Sequence, residues 1–241
     1  MLFRSAGSGA RHIVRYVSTK GSHFFAGYCF YCPRVVEIGS LVVISGRRLC
    51  RGTRRSGPNG YGHQHYFFAH GTTVDNEAEI ASGWSDAGLS ERGIKQSVEL
   101  KECIKNKRID VAFCSVLKRA RVSAALIFDG VAPGSIDARL RECNYGVFNA
   151  RPTCIVESMT YKMIYQRFPN GESYEDVKTR VADFLAFLKQ RHDGKKIALV
   201  AHKGPQLALD VLLAGKTWAE AFAHDWRKNN AWKPGWNYRL P

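Results

Sequence analysis

The chain has 241 residues, of which 45% are hydrophobic and 24% charged, so it can form a packed core and is not expected to be disordered throughout. Because no apolar run approaches the roughly 18 residues that a membrane-spanning helix needs, we do not expect an integral membrane protein. The formal net charge of +15 is concentrated in residues 1–66, which hold ten basic residues and one acid, so we expect the folded part to bind no nucleic acid.

Residues 1–62 differ in composition from the rest of the chain. They are rich in Arg, Gly and Ser and contain a single acidic residue, Glu37. We predict that they form a basic extension and that the folded domain occupies residues 63–241. The first 18 residues fit an organelle transit peptide, and they fit equally well as upstream sequence translated from a misplaced start. The apolar stretch from Val35 to Ser45 predicts a strand or a hairpin.

Seven cysteines are scattered along the chain. An odd number without regular spacing is not typical of a secreted disulfide framework, so we predict a reducing compartment. We expect this to be the cytoplasm, or the mitochondrion if the first 18 residues act as a transit peptide. Cys29 and Cys32 form a lone CxxC pair, and because a zinc site needs four ligands we predict no metal site.

Regular elements are predicted from Tyr66 onward. The apolar run from Tyr66 to Ala69 predicts a buried strand that leads into a loop at His70. Ser90 is a suitable N-cap for a helix through Lys107. The residues that we expect on the inward face of this helix are Ile94, Val98 and Ile104. A second buried strand is predicted at 111–114, and a helix at 117–128.

The second half of the chain continues this alternation. Ser173 and Asp176 form a capping-box pattern that predicts the start of a helix. The apolar stripe of this helix consists of Val177, Val181, Phe184, Leu185 and Leu188. The run from Ile197 to Ala201 predicts a third buried strand, and Pro205 suits the first position of the helix after it. Alternating strands and helices indicate a three-layer α/β/α fold with a mostly parallel central sheet.

The C-terminal stretch from Thr217 contains four of the five tryptophans. We predict that it forms a helix and a tail packed on the domain. A lid over the substrate is the alternative.

Two histidines follow predicted strands in the same way. His70 comes directly after the strand that ends at Ala69, and His202 directly after the strand that ends at Ala201. In parallel sheets, ligands bind beyond the carboxyl ends of the strands, where helix N-termini supply positive potential. Two imidazoles at that edge, together with Arg119 on the helix after the second strand, predict an anion pocket. Neutral imidazole is a competent nucleophile, and a guanidinium is a good partner for a phosphoryl group.

These residues lie in blocks that resemble the histidine phosphatase superfamily, the phosphoglycerate mutase-like proteins. The blocks follow the family's order over roughly residues 64–215: His70 to Thr73 with Asn76, Ser82 to Gly93, Ser115 to Ala120, Leu140 to Gly146, Pro169 to Ser173, and Leu199 to His202. The resemblance implies a phosphoglycerate mutase-like fold and phosphoryl transfer that needs neither a metal nor another cofactor.

The resemblance also implies a role for each matched residue. His70 would attack phosphorus and form a phosphohistidine, and Glu142 would protonate the leaving oxygen and then take a proton from water. Arg119, Asn76 and His202 would hold the equatorial phosphoryl oxygens. The residues expected to contact the substrate are Gly71, Ser82, Gly83, Tyr145 and Lys203.

One position departs from the family's motif. The family places an arginine immediately before the nucleophilic histidine, where this chain has Ala69. Each charge-assisted hydrogen bond to a phosphoryl group contributes about 1.5–3 kcal/mol, so we expect a weakened site unless Lys203 or Lys118 supplies the missing charge. On this hypothesis Ala69→Arg increases phosphatase activity and Lys203→Ala decreases it.

Two reactions are open to such a site, hydrolysis and mutase-type phosphoryl transfer. The family's mutases carry a long insertion with paired arginines after the acidic block, whereas only 60 positions separate Glu142 from His202 here. Arg151 and Lys162 are the candidates for a second anion site, and both are more typical of solvated charges. We therefore favour a phosphomonoester hydrolase, with a mutase and an inactive binding protein as alternatives. As partners we expect a small phosphorylated substrate, no membrane, and at most a second copy of the chain in a homodimer.

Overall fold

The computed structural model describes residues 36–38, 41–43, 64–229 and 235–239. It divides the chain into two units, 1–58 and 59–241. In the first unit, β1 (Val36–Ile38) and β2 (Leu41–Val43) pair as an antiparallel hairpin, which agrees with the strand or hairpin predicted there. The predicted transit peptide and the CxxC pair lie outside the described residues, and the predicted domain boundary at residue 62 stays a prediction.

The second unit alternates strands and helices. Its strands are β3 (Gln64–Ala69), β4 (Ile80–Ala81), β5 (Val111–Ser115), β6 (Gly134–Asp137), β7 (Arg151–Pro152), β8 (Ile197–Ala201) and β9 (Gly235–Arg239). Its helices are α1 (Val74–Glu77), α2 (Glu91–Ile104), α3 (Lys118–Phe128), α4 (Thr153–Met159), α5 (Tyr174–Arg191), α6 (Lys203–Leu213) and α7 (Trp218–Ala223). Of the helices that the structure describes, none is both long and apolar enough to cross a membrane.

Five strands form the central sheet in the order β6-β5-β8-β3-β9. The first four run parallel, and β9 pairs with β3 in the antiparallel direction. Side chains along a strand point alternately to opposite faces, so β3 contributes to two cores. Phe67 belongs to the core under α5 and α6, and Tyr66 and Phe68 belong to the core under α2 and α3. Helices on both faces confirm the three-layer α/β/α fold with a mostly parallel sheet.

Most of the predicted elements are confirmed. β3, β5 and β8 coincide with the three predicted strands, and α3 and α5 with two predicted helices. The capping box at the start of α5 is present, because Ser173 Oγ accepts the N–H of Asp176 while the Asp176 carboxylate accepts the N–H of Ser173. The predicted stripe on α5 faces the core, with Val177, Val181, Phe184 and Leu188 buried and Leu185 partly buried.

The inward face predicted for α2 is wrong at two positions. Ile94 and Val98 are 44% and 47% exposed, whereas Ile104 is buried as predicted. The first half of the buried face is polar, because it packs on the main chain that follows β3. There the side-chain oxygen of Gln96 accepts hydrogen bonds from the N–H and the hydroxyl of Thr72, each within 2.9 Å. A helix that binds a loop in this way does not show its buried face as an apolar stripe.

Some element ends also differ from the predictions. α2 ends at Ile104 rather than at Lys107, and Pro205 is the third residue of α6 rather than the first. A proline there still costs no intrahelical bond, because the first four N–H groups of a helix lack partners within it. The sequence did not predict β6, whose residues are mostly exposed and form no apolar run. The helix and packed tail predicted after Thr217 are confirmed by α7 and by β9.

Candidate active site

The two histidines lie side by side at the edge of the sheet. Ala69 and Ala201 are paired in the parallel register of β3 and β8, so the residues after them emerge together. The ring centroids of His70 and His202 are 5.0 Å apart, and the ring planes are inclined by 55°. The main-chain N–H of His70 donates to the carbonyl of Ala201 at 3.2 Å, which fixes the two loops against each other. The expected meeting of two imidazoles is therefore confirmed.

His70 is held in one tautomer. Its Nδ1 lies 2.7 Å from the carbonyl oxygen of Gly71, and because a carbonyl only accepts, Nδ1 carries the proton and Nε2 carries the lone pair. Burial, followed by the charge of Arg119, lowers the pKa of His70 to about 3. Gly71 supports this geometry, since its N–H donates to Ser123 Oγ at 2.9 Å and a Cβ would overlap the carbonyl of Gly93. His70 thus presents a neutral nucleophilic nitrogen.

His202 is fully buried at the N-cap of α6. Neither ring nitrogen has a hydrogen-bond partner in the part of the chain that the structure describes. Burial lowers the pKa of His202 well below its ordinary value, with a smaller contribution from the charge of Arg119. A buried polar ring without a partner is costly, so its nitrogens suit a bound ligand.

The Arg119 guanidinium is held in place by two main-chain carbonyls. It is the second residue of α3 and is 2% exposed. Its Nη2 donates to the carbonyl of Gly83 at 2.7 Å, and its Nη1 to that of Ser85 at 2.9 Å. Gly83 has a φ of +54°, and a Cβ there would overlap the side chain of Asn149, so this carbonyl depends on a glycine. The guanidinium is pre-oriented for an anion.

Glu142 is tied to the same helix start as His202. Its Oε1 accepts the N–H groups of Cys143 at 2.8 Å and Gly204 at 2.7 Å, and its Oε2 accepts that of Lys203 at 3.1 Å. The carboxyl group is 7% exposed and takes the place of a side-chain cap on α6, which His202 does not provide. The predicted acid and the second histidine are therefore held together by α6.

Lys203 does not fill the position predicted for its charge. Its Nζ lies 3.1 Å from Glu157 Oε1 and 3.3 Å from Asp225 Oδ2. Two carboxylates already bind the ammonium group, so it is not available to replace an arginine beside His70. What Lys203 adds to the site is its main-chain N–H to Glu142. Lys118 likewise uses its main-chain N–H, which donates to Asp86 at 2.8 Å, and its side chain is exposed.

The other predicted site residues, Asn76, Ser82 and Tyr145, contact neighbouring protein residues. Asn76 is exposed, and its amide oxygen accepts the N–H of Thr73 at 3.0 Å, which leaves the NH2 group as the end that can donate. Ser82 and Tyr145, expected at the substrate mouth, are both buried. Ser82 Oγ donates to Asp75 at 2.7 Å, and the Tyr145 ring packs on Phe168 with centroids 5.2 Å apart. Direct contact of these residues with a substrate stays a prediction.

Sequence reasoning missed two arginines. Arg180 on α5 donates to the carbonyls of Glu142 and Arg139 at 2.9 and 2.6 Å and forms an ion pair with Glu172. The sequence offers one indication of Arg180, which is that it directly precedes Val181 in the predicted apolar stripe of α5. Arg227 lies on the 3-10 turn 226–229, and no sequence pattern marks it.

The described residues contain no group of His, Cys, Asp and Glu that could hold a metal ion. The geometry consists of neutral imidazoles, a buried guanidinium and a carboxyl group fixed by N–H donors. Such a set can form a bond to an electrophilic phosphorus, hold its oxygens and move one proton.

Comparisons with known proteins agree with this chemistry. The family model of the histidine phosphatase superfamily (branch 1) matches residues 65–232. A phosphoglycerate mutase of Schizosaccharomyces pombe is 30% identical over 167 residues, which span 61% of this chain and 78% of that protein.

Two solved structures are similar over most of their own length. A candidate alpha-ribazole-5'-P phosphatase of Escherichia coli has a TM-score of 0.61 at 25% identity and covers 67% of this chain and 84% of its own. A mycobacterial glucosyl-3-phosphoglycerate phosphatase in complex with VO3 has a TM-score of 0.60 at 25% identity. The match covers 67% of this chain and 86% of that protein. Because the family model matches more than half of the chain, from residue 65 to residue 232, the chain belongs to the histidine phosphatase superfamily, branch 1.

Proposed function

We propose that the chain is a phosphomonoester hydrolase that acts on a small phosphorylated metabolite through a phosphohistidine at His70. The observation that carries this proposal is the pair of side-by-side imidazoles, with the ring nitrogens of His202 lacking partners among the described residues. Arg119 and Glu142 lie at the same edge of the sheet, and Glu142 contributes to the charge environment of Arg119. Together they supply a nucleophile, a cation and a proton carrier.

The proposed reaction has two steps. In the first, the Nε2 lone pair of His70 forms a bond to phosphorus while the bond to the leaving oxygen breaks, and Glu142 gives that oxygen a proton. In the second, a water oxygen bonds to phosphorus, the N–P bond breaks, and Glu142 takes a proton from the water. Arg119 and His202 stabilise the charge on the phosphoryl oxygens in both steps.

Hydrolysis is favoured over a mutase reaction by the placement of the other cations. Arg151 and Lys162, the candidates for a second anion site, are both exposed. A mutase needs to hold a substrate that is acidic at both ends, which exposed single cations do poorly. The Schizosaccharomyces pombe relative nevertheless makes a mutase the second candidate.

The experiment is turnover of p-nitrophenyl phosphate by the wild-type chain and by His70→Ala. We expect His70→Ala to lose about a thousandfold or more in kcat, because the nucleophile is gone. His224→Ala is the matched control, since His224 is an exposed histidine whose Nδ1 lies 2.8 Å from the carbonyl oxygen of Glu220 at the end of α7. Equal turnover by the wild type and His70→Ala would overturn the proposal.

A second substrate separates the candidate functions. With 3-phosphoglycerate and a bisphosphorylated primer, a mutase produces the isomeric phosphoglycerate, and a hydrolase produces inorganic phosphate. A wild-type chain that turns over no phosphomonoester would instead be an inactive binding protein.

A further inference from the structure

The proposed site is short of positive charge. A phosphoryl group brings about two negative charges, and both imidazoles are neutral at physiological pH because their pKa values are lowered by burial. Ala69 stands where the family has an arginine, and the ammonium group of Lys203 is bound by Glu157 and Asp225. Of the other predicted cations, Arg119 is buried in the site, whereas the Lys118 side chain is exposed to solvent, which raises the question of what balances the second charge.

The C-terminal segment approaches the site from the side of Ala69. β9 is antiparallel to β3, and Gly235, its first residue, is paired with Phe68. The start of β9 therefore lies at the carboxyl end of β3, directly before His70. The 3-10 turn 226–229 precedes β9, and the rings of Trp226 and Trp236 are 6.0 Å apart, which ties this turn to the same strand.

Arg227 on this turn is anchored to the first turn of α6, the helix that His202 caps. Its Nη1 donates to Gln206 Oε1 at 3.0 Å and to Asp225 Oδ1 at 2.8 Å. Gln206 is the fourth residue of α6, and its N–H donates to the carbonyl of His202 at 3.1 Å. Arg119 comes from α3 on the opposite face of the sheet, so the two guanidinium groups are held by different helix layers.

A buried carboxylate holds Arg227 in place. The Asp225 side chain has no exposed surface and lies between Lys203 and Arg227. Burial alone would raise the pKa of Asp225, but the charges of Arg227 and Lys203 keep it below its ordinary value. Both hydrogen bonds of the guanidinium are made by Nη1, and no other described residue accepts from Nη2 or Nε. The Arg227 side chain is 25% exposed, and its guanidinium lies over the Trp226 ring at 4.5 Å from the ring centroid.

The charge of Arg227 affects the pKa values of both histidines. It contributes to lowering the pKa of His70, after burial and Arg119, and it also contributes at His202. The positive charge of Arg227 therefore acts electrostatically on the two histidines between which phosphorus would bind.

We propose that Arg227 is a phosphoryl-binding residue, which supplies from the C-terminal turn the guanidinium that position 69 lacks. This inference rests on the proposed function, because it assumes that the anion bound beside His70 is a phosphoryl group. A guanidinium fork suits this role better than an ammonium group, since it can donate two parallel hydrogen bonds to one phosphoryl group.

The test is the dissociation constant for orthovanadate, an analogue of phosphate, measured by calorimetry on the full chain. We expect Arg227→Gln to weaken vanadate binding about 10- to 100-fold, the loss of one charge-assisted hydrogen bond or more. Arg227→Lys keeps a charge beside Asp225 and should fall in between. Lys228→Gln is the matched control, because Lys228 is exposed on the same turn, and it should bind as the wild type does.

Vanadate binding separates this inference from the proposed function, because it needs no turnover. If binding depends on Arg227 while p-nitrophenyl phosphate is not hydrolysed, the role of Arg227 is supported and the hydrolase proposal fails. If Arg227→Gln and Arg227→Lys, both with thermal midpoints near that of the wild type, bind vanadate as Lys228→Gln does, the inference is overturned. A wild-type chain that binds no vanadate overturns it as well.

Discussion

Burial and the guanidinium of Arg119 keep the imidazole of His70 neutral down to a pH of about 3. The Gly71 carbonyl fixes the proton on Nδ1, so the attacking nitrogen is set by a main-chain contact. The sequence contained both histidines and Arg119 as recognisable residues, because each follows a predicted strand or begins a predicted helix. It could not show that Lys203 is neutralised by Glu157 and Asp225, since those carboxylates come from distant segments.

The lowered pKa of His70 predicts that the fold loses stability in acid. The unfolded chain takes up this proton near pH 6.5 and the folded chain only near pH 3, so the unfolded state binds more protons between these values. Stability therefore falls as the pH falls from 6.5 towards 3, by about 2 kcal/mol from His70 at pH 5.

Urea unfolding at pH 7.5 and pH 5 measures this contribution. We expect the loss of unfolding free energy between the two pH values to be about 2 kcal/mol smaller in His70→Ala than in the wild type. The exposed-histidine control, His224→Ala, should behave as the wild type. An equal loss in wild type and His70→Ala would show that His70 is not held neutral.

Gly204 tests the position of the Glu142 carboxyl group. A Cβ at residue 204 would lie 2.6 Å from Glu142 Oε1, so Gly204→Ala must displace that oxygen. A shift of about 1 Å can cost about a hundredfold in rate, and we expect kcat/KM to fall by about 10- to 100-fold. Gly134→Ala is the control, since a Cβ there meets nothing within 4 Å. Steady-state kinetics showing full activity in Gly204→Ala would mean that Glu142 is not a catalytic residue.

At the scale of elements, the register of β3 and β8 and the start of α6 build the site. Hydrophobic runs predicted both strands, and an apolar stripe with a capping box predicted α5, because these elements bury apolar side chains in a regular pattern. The same reasoning misassigned Ile94 and Val98 on α2, where Gln96 faces inward and binds the loop after β3. It predicted a packed C-terminal tail but not that this tail is a strand, because β9 joins the sheet by pairing with β3 and has no apolar run of its own.

Arg180 tests how α5 supports the site. It binds the carbonyl of Glu142 and the carboxylate of Glu172 but does not touch a substrate in the proposed reaction. We expect Arg180→Gln to lower kcat about tenfold with little change in KM, because it loosens Glu142 without removing a binding group. Arg191→Gln, at the exposed end of the same helix, is the control. A rise in KM at constant kcat would assign Arg180 to substrate binding instead.

At the scale of the whole molecule, most of the net positive charge and the candidate site lie in different parts of the sequence. Residues 1–66 carry most of the net charge, whereas the described site residues lie between His70 and Arg227. Composition predicts a domain boundary near residue 62, because the sequence before it contains one acidic residue and many turn formers, and this boundary stays a prediction. Which substrate the site selects is not encoded in any local pattern, because it depends on loops from several segments.

Removal of residues 1–58 tests the division. We expect the shortened chain to keep kcat/KM within about twofold and its thermal midpoint within a few degrees, because the family match begins at residue 65. Calorimetry measures the thermal midpoint of the full and shortened chains, and p-nitrophenyl phosphate kinetics measure their kcat/KM. A tenfold loss of kcat/KM on removal of residues 1–58 would show that activity depends on the N-terminal unit.

The most direct measurement is the identity of the phosphorylated residue during turnover. The wild-type chain is mixed with p-nitrophenyl phosphate, quenched in alkali, where phosphohistidine is stable, and digested for mass spectrometry. We predict a phosphoryl group on His70 that is absent from His70→Ala. Turnover without any phosphoryl group on His70, or with one on His202 instead, would contradict the account.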